Sequence, residues 1–516
     1  MTLMMRACMV AALSVTAIPV TWAGQVDLTI LDAQTGHAIP ARVLVADQRG
    51  KSYVPDGAVE VPIGPDHWFV ANGAVRLDIP TGTALVRVEH GTEYHPFSRS
   101  VSVPAKLTIR LDRWIDMRQR DYSSGEEHIH VPVSELPAMI AAEGLDFGSS
   151  LYWWNGPRWK APVGPDGIRR LTFGKEVIPS SVFDTEVEHS WGAVFLIGLR
   201  KPITLPEDRS RSNLPFVEEA RRQGALIAYQ GGYLREVLVD ALLGDVDVVD
   251  VCNNNFQRYK FQPRPQYSNM LDIPGFPAYP TTAEGMMQLN TDTYYRLLNC
   301  GLHLAAGAGS ATGAKTTPVG YNRSYVSAGR NPTLPEFLNA WRQGRNFVTN
   351  GPMIFLTANG SHQPGDIIAF PKAGGELHVK ATAVSGLPLR ALEIVVNGKV
   401  AARTEGKELT AVIPIKEGTW IAARATAEDN GLSDAELARY RSQTKMGGEE
   451  PTRLRFGHTS PIYCTVGGAG ARVPASIDEA RRILNAFESY ARKTAAPAYL
   501  PEILEALSRA RAKLER

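Results

Sequence analysis

The chain is short of the residues that hold metals and disulfides. Its 516 residues contain four cysteines and eleven histidines. Cys8 falls in an N-terminal leader, and Cys252, Cys300 and Cys464 are scattered over three regions. No disulfide framework follows from that spacing, and the three read as buried thiols. An excess of one charge is missing as well: 55 Lys and Arg stand against 53 Asp and Glu, a net charge of +2. That balance removes the electrostatic case for nucleic acid, which needs a basic stripe or domain. Past the leader, no run approaches the roughly 18 unbroken apolar residues of a membrane span, so no membrane contact is expected of the mature chain. The spacings G-x-x-x-x-G-K-[ST] and G-x-S-x-G are also absent. Their absence excludes a P-loop and weakens a serine-hydrolase reading.

What is present begins with a secretory leader, residues 1–23. Arg6 supplies the positive end, residues 9–20 the apolar stretch, and Thr21-Trp22-Ala23 a small-x-small cleavage site. A secreted or periplasmic protein is expected. Residues 24–115 alternate with period two in "VDLTILDAQTG", "ARVLVADQRG" and "KLTIRLDRW", punctuated by Gly, Pro and Asp. That spacing predicts a β-sandwich, and "DAQTGHAIPARVLV" resembles carboxypeptidase-regulatory-like sandwiches.

Residues 116–350 change period. Apolar runs such as "AVFLIGL", "GALIAYQ" and "VDVVDV" read as strands buried on both faces. They alternate with helical stretches, including "VSELPAMIAAEG", "YLREVLVDALLG" and "LPEFLNAWRQG", that end at Gly. Repeated strand–helix units predict an α/β fold with a parallel sheet or β/α barrel, whose site lies at the C-terminal ends of the strands. A Pro-, Gln- and Asn-rich loop over 254–290 interrupts the pattern. Residues 351–470 return to strands, with the hairpin signal "VNGK", and predict a second sandwich. Residues 471–516 predict a helical tail opened by a Ser476–Glu479 capping box, with Ile483, Leu484 and Phe487 on one face.

The sharpest chemical signal is "SGEEHIHV". His128 and His130 are two apart on a strand, so both imidazoles face one side, as two ligands of one ion require. The form W/Y-S-G-(D/E)-x-H-x-H after an N-terminal sandwich resembles the first motif of the PHP (polymerase and histidinol phosphatase) metallohydrolases, in their carbaryl-hydrolase-like branch. "TEVEHSWGAVFLIGL", "GALIAYQGGYLREVL" and "AGAGSATGAKTTPVGYNRSYV" resemble later segments of that family in the same order. The resemblance covers about residues 110–470 and implies a PHP-like β/α barrel between two sandwiches. It also implies that Glu188 is the family's metal-bridging carboxylate. Tyr321, Asn322 and Arg323, in "PVGYNR", follow the strand that ends near Ser310 and are candidate substrate contacts; Arg323 could fix a carboxylate or phosphate bidentately or equally hold the loop to backbone carbonyls. The chain departs from the pattern where the family carries further ligands. It has "SSLYWWN" for an Asp-His pair, Gly192-Ala193 for a Gly-His, Gln230-Gly231 for a His-Pro and Ala311 for the last Asp.

Three chemistries follow. In the first, one divalent ion, Zn or Mn, on His128, His130 and Glu188 hydrolyses an ester, amide, carbamate or phosphoester of a small molecule, with Glu186 or His189 carrying the proton. In the second, the site lacks metal, and paired carboxylates among Glu126, Glu127, Glu186 and Glu188 cleave a glycan that stacks on Trp153 or Trp154 and bonds Asn155. In the third, catalysis is lost and the chain only binds a ligand, through the two sandwiches, "YWWN" and "CNNNFQRY"; Gln230 is a further candidate ligand contact.

Overall fold

The computed structural model describes residues 23–159, 166–203, 208, 210–263, 277–441 and 448–516. The expected leader up to Trp22 and the middle of the 254–290 loop lie outside the described residues. In the first strand, Ala23–Asp32, the alternation buries Val26, Leu28 and Ile30 on one face. That strand lies between Ala74–Pro80 and Ala105–Leu111 in a three-stranded sheet. A five-stranded sheet, in the order Glu60–Ile63, Asp66–Asn72, Pro40–Asp47, Gly82–Glu89 and Phe97–Val103, shares its core through Val43, Val45, Phe69, Val86 and Val88. Two sheets over one core make the sandwich that the period-two pattern predicts.

The central region is built on seven strands. In hydrogen-bonded order they are Ala305–Ala308, Val248–Cys252, Leu226–Tyr229, Gly192–Ile197, Glu176–His189, Phe147–Trp154 and Tyr122–Glu126. The two ends of this order meet. Ala311 N–H donates to His128 O at 2.8 Å, and His130 N–H donates to Thr312 O at 2.7 Å, so the strands form a ring. Neighbours are parallel except around Gly192–Ile197, which is antiparallel to both of its neighbours. Only Ser190 and Trp191 connect it to the preceding strand, and so short a connection permits only a hairpin. The uniformly parallel arrangement expected from strand–helix repeats fails there for that reason. Among the described residues the α-helices of the region are Leu136–Ala142, Leu214–Arg222, Val237–Leu243, Ala283–Asn299 and Leu334–Arg342.

The boundary expected at residue 350 cuts across a continuous sheet. Tyr122–Glu126 also pairs with Arg323–Ser327, which leads through Asn346–Thr349 to Leu454–Thr459, Thr419–Glu428 and Leu389–Val396. The sheet of Met353–Ala358, Gly375–Val384 and Glu408–Ile415 packs on these last strands through Ile354, Leu356, Val379, Leu392, Ile394 and Ile421. The second sandwich is thus fused to the ring by backbone hydrogen bonds.

The tail is two helices, Pro474–Thr494 and Leu500–Leu514. The expected capping box does not form, because proline at the first helical position starts the helix three residues early. Glu479 instead pairs with Arg296 at 2.7 Å, and Ser476 Oγ accepts from Asn299 Nδ2 at 3.1 Å. Ile483, Leu484 and Phe487 are buried, with Phe487 against Trp191 at 5.7 Å. Cys252, Cys300 and Cys464 are free and buried. Among the described residues no helix is long and apolar enough to cross a membrane. Because Phe487 is fully buried against the ring, Phe487→Ala is expected to cost about 3–5 kcal/mol. Denaturant unfolding followed by tryptophan fluorescence checks this; a loss under about 1 kcal/mol would mean that the tail does not belong to the core.

Candidate functional site

The chain leaves its strand after Glu126 and continues irregularly through Glu127 to the bridge between Ile129 and Thr312. Ile129 is fully buried in an apolar cluster with Leu136 and Ile140. Its neighbours His128 and His130 therefore turn the other way, and their Nε2 atoms lie 3.0 Å apart. The fourteen-residue strand Glu176–His189 brings in Glu186, whose Oε2 is 3.0 Å from His130 Nε2 and 3.7 Å from His128 Nε2. These three residues are the one group among the described residues able to hold a metal ion. A circle through the three atoms has a radius of about 1.9 Å, so an ion slightly out of their plane meets all three at the roughly 2.0–2.2 Å of zinc–nitrogen and zinc–carboxylate bonds.

The protonation states suit ligation in part. Burial drives both imidazoles towards the neutral form, His130 down to about 3 and His128 well below its usual value, with the nearby charges of Arg158 and Lys315 acting in the same sense. Neutral imidazole is the ligating form. Burial also pushes the Glu186 carboxyl up to about 8, so a cation must displace its proton at neutral pH. The Nδ1 atoms of both histidines are buried without hydrogen-bond partners. Carbonyls or carboxylates usually orient metal-bound histidines through that atom, and their loss typically costs 10–100-fold in affinity.

Further buried carboxylates line the ring. Glu126 accepts from the backbone N–H groups of Ser310 and Gly320. Glu127 accepts from Ala308 N–H at 3.2 Å and faces Asp250; burial raises both their pKa values, Asp250 to about 7, with the Asp250 charge adding to the rise at Glu127 and the Glu186 charge to that at Asp250. Room for them depends on glycine: a Cβ at Gly307 would lie 2.3 Å from Asp250 Oδ1, and one at Gly309 would lie 2.5 Å from His128 Cβ.

At the rim, Trp154 lies 4.6 Å from the His130 ring, centroid to centroid, and its Nε1 donates to Glu188 Oε2 at 2.9 Å. The Arg158 guanidinium covers the outer face of the indole at 4.8 Å. Asn155, in the left-handed region at φ +50°, exchanges hydrogen bonds with the Glu188 backbone at 2.9 and 2.7 Å.

Thus the structure brings together His128, His130 and Glu186, with Trp154, Asn155 and Glu188 beside them. Glu186 takes the position expected of Glu188, whose carboxylate lies one step further along the strand and is held by Trp154. His189 does not face the cluster. Its ring lies 5.7 Å from Phe216, which also packs on Trp153 at 6.1 Å. Residues 153 and 189 occupy the opposite face of their strands and belong to the core, not to a proton path or a sugar platform. Gln230 reaches the rim, with its Nε2 on Asn254 Oδ1 at 2.8 Å. Tyr321 lies 5.5 Å from Arg455 and lines a different cavity of about 300 Å³. Asn322 is a buried clamp that donates to the carbonyls of Asn253, Phe256 and Gly309. Arg323 is spent on the carbonyls of Gly320 and Glu143 at 2.6 and 3.1 Å. The motif reading passed over Asp250 and Arg158. Asp250 had a visible signal, as a lone carboxylate inside an apolar strand; Arg158 had none.

No protein-family model, no curated protein and no solved structure matches the chain.

The buried Glu186 carboxyl ionises far more readily in the unfolded chain, so it costs nothing near pH 4 and destabilises increasingly up to about pH 8, where the cost levels off. Metal-free Glu186→Gln should therefore be more stable than the parent at pH 8, by at most about 4 kcal/mol, with the gain vanishing towards pH 4. Melting curves across that range check this, and a gain independent of pH would contradict it. For the same reason zinc affinity should climb with pH up to about 8, with calorimetry in two buffers registering roughly one released proton.

Proposed function

We propose that this chain is a secreted or periplasmic hydrolase of the PHP metallohydrolase type. In this reading one divalent ion, zinc or manganese, binds His128, His130 and Glu186 and serves to open an ester, amide, carbamate or phosphoester bond. The observation that carries it is the triangle of two neutral Nε2 atoms and one carboxylate oxygen on a circle of metal-ligand size. Bound there, such an ion supplies Lewis acidity and lets water ionise near neutral pH. The chain supplies the rest. His128 and His130 present lone pairs without first losing a proton. Glu186 contributes the one negative charge of the set. Glu188, held by Trp154 beside His130, is the carboxylate placed to accept the proton of the attacking water. Trp154 and its Arg158 cover shield one side from bulk water. With three protein ligands a position stays open for water or substrate.

A carbohydrate-directed reading also draws on Trp154. Its indole stands at the rim beside Asn155, and a sugar ring that stacked on it would have to displace the Arg158 guanidinium from its outer face.

Elemental analysis of purified protein should find about one zinc or manganese per chain, and His128→Ala should remove it and hydrolysis together. Metal-free parent protein, or His128→Ala retaining full metal, would sink the hydrolase reading. For the carbohydrate reading, Trp154→Ala should weaken sugar binding about tenfold or more in titration calorimetry with little change in melting temperature. Trp153→Ala should mainly lower stability.

A further inference from the structure

A cavity of about 300 Å³ lies where the first sandwich, the ring and the second sandwich meet, and none of His128, His130 and Glu186 lines it. The first sandwich and its linker contribute Glu89 and Trp114, the ring contributes Arg258, Tyr259 and Tyr321, and the second sandwich contributes Asp429 and Arg455. Small-molecule sites run from roughly 300 to 1,000 Å³ and favour such junctions.

Three donors in its wall lack partners. The Tyr321 hydroxyl and the Nε atoms of Arg258 and Arg455 are buried without a hydrogen bond. Buried polar atoms in that state cost free energy until something satisfies them. Acceptors stand beside them. Glu89 takes Arg42 on one oxygen at 2.8 Å and Arg258 on the other at 3.1 Å, and Asp429 takes Arg455 at 2.9 Å and the Gly431 N–H at 3.0 Å. A carboxylate has about four lone-pair positions, so each keeps capacity for a further donor.

The charged groups are paired. Arg42, Arg87, Arg258 and Arg455 stand against Glu89, Glu143, Asp429 and Glu436. Behind them Arg113 and Arg323 stand against Asp32, Glu93 and Asp116. Further out Arg439 and Arg453 pair with Asp66 and Asp434. An anion in the cavity would meet Glu89 and Asp429, and a cation would meet Arg258 and Arg455. A neutral ligand avoids both conflicts.

The remaining wall is aromatic. The Trp114 indole is fixed by its Nε1 donating to Thr92 O at 3.0 Å. Glycine at 386 keeps it uncovered, since a Cβ there would lie 3.1 Å from Nε1 and 3.2 Å from Cε2. Tyr259 sits at φ +66°, a conformation that bulky residues rarely adopt, with the Arg258 guanidinium over its ring at 4.2 Å. Strain of this kind concentrates at ligand clamps. Flat apolar faces beside both donors and acceptors suit a ring whose C–H face stacks and whose hydroxyls donate and accept at once.

We infer that this cavity binds a neutral sugar unit, whose oxygens accept from Tyr321, Arg258 and Arg455 and whose hydroxyls donate to Glu89 and Asp429. The inference goes beyond the hydrolase reading and does not rest on it.

The test is titration calorimetry of the full chain with D-glucose, D-galactose, D-mannose, maltose and cellobiose at millimolar concentration, with D-glucuronate as the charged control. At least one neutral sugar should bind, about tenfold or more tighter than glucuronate, and should raise the melting temperature. Tyr321→Phe removes only the unpartnered hydroxyl. It should weaken that sugar about tenfold, while the melting temperature of the free protein stays or rises. Gly386→Val, which fills the space before the indole, should weaken it at least as much, and Trp154→Ala should leave it unchanged. No binding by any of the neutral sugars, glucuronate binding as tightly, or affinity unchanged in Tyr321→Phe would each overturn the inference. Binding lost in Trp154→Ala but kept in Tyr321→Phe would place the sugar at the rim of the triad and refute this site. A metal-free protein that still binds sugar through Tyr321 would refute the hydrolase and keep the site.

Discussion

Two backbone hydrogen bonds hold the architecture of the site together. Through them the stretch 128–130 clasps the stretch 311–312, and that clasp joins the first and last strands of the ring. It buries Ile129 outward into the apolar cluster, so His128 and His130 must point inward together. It also brings the small-residue loop after Ala305–Ala308 against the histidines, which is why Gly307, Gly309 and Gly313 have no space for a side chain. Lys315 is carried to the rim by the same turn. One local pairing thus determines the direction of two imidazoles, the packing of the carboxylates behind them and the position of the nearest ammonium group.

The ring interior is expensive to keep. Glu126, Glu127, Glu186 and Asp250 are all buried, and burial raises the pKa of each. A core designed for stability alone would hold leucine or valine at such positions. Glu126 offsets part of its desolvation by accepting two backbone N–H groups, whereas Glu186 has only the His130 ring nitrogen close to its Oε2, and Asp250 mainly its Glu127 neighbour. So many buried carboxylates with few donors weaken the fold, a cost more often met at sites than in cores.

Much of this was legible in the residues. The period-two runs marked the strands of both sandwiches, the helices fell where glycine closed an apolar repeat, and two histidines at a spacing of two faced one side as strand geometry demands. Parity also separates Trp154 from Trp153 and Glu186 and Glu188 from His189, because alternate residues share a face. Parity cannot say how far along a strand the centre lies; the motif resemblance put Glu188 in the set, where the structure has Glu186. Asp250 was visible as a carboxylate inside the apolar run "VDVVDV", but Asp247 shares that run and nothing in it says which of the two faces the site. Arg323 and Asn322 look like ligand-binding residues in a string of letters; only their partners, backbone carbonyls on three other segments, disclose that they are clamps. The hairpin Glu176–Ile197 was missed because an apolar run carries no sign of its direction.

The thin support behind the histidines bears on what the site can do. Neither Nδ1 atom has a partner, so the rings are oriented by their Nε2 contacts with each other and with Glu186 and by packing, His128 against Phe195 at 4.3 Å and His130 against Trp154 at 4.6 Å. Aromatic packing sets the plane of an imidazole but does not polarise it, as a carboxylate or carbonyl on Nδ1 would. The ligating nitrogens therefore remain weak donors, and the charge of Glu186 has to supply most of the attraction for an ion. Because Trp154 is held by Glu188, and Asn155 locks the Glu188 backbone, the rim and the candidate ligands His130 and Glu186 are joined along adjacent strands, and a shift of Trp154 would be felt first by the His130 ring it packs on.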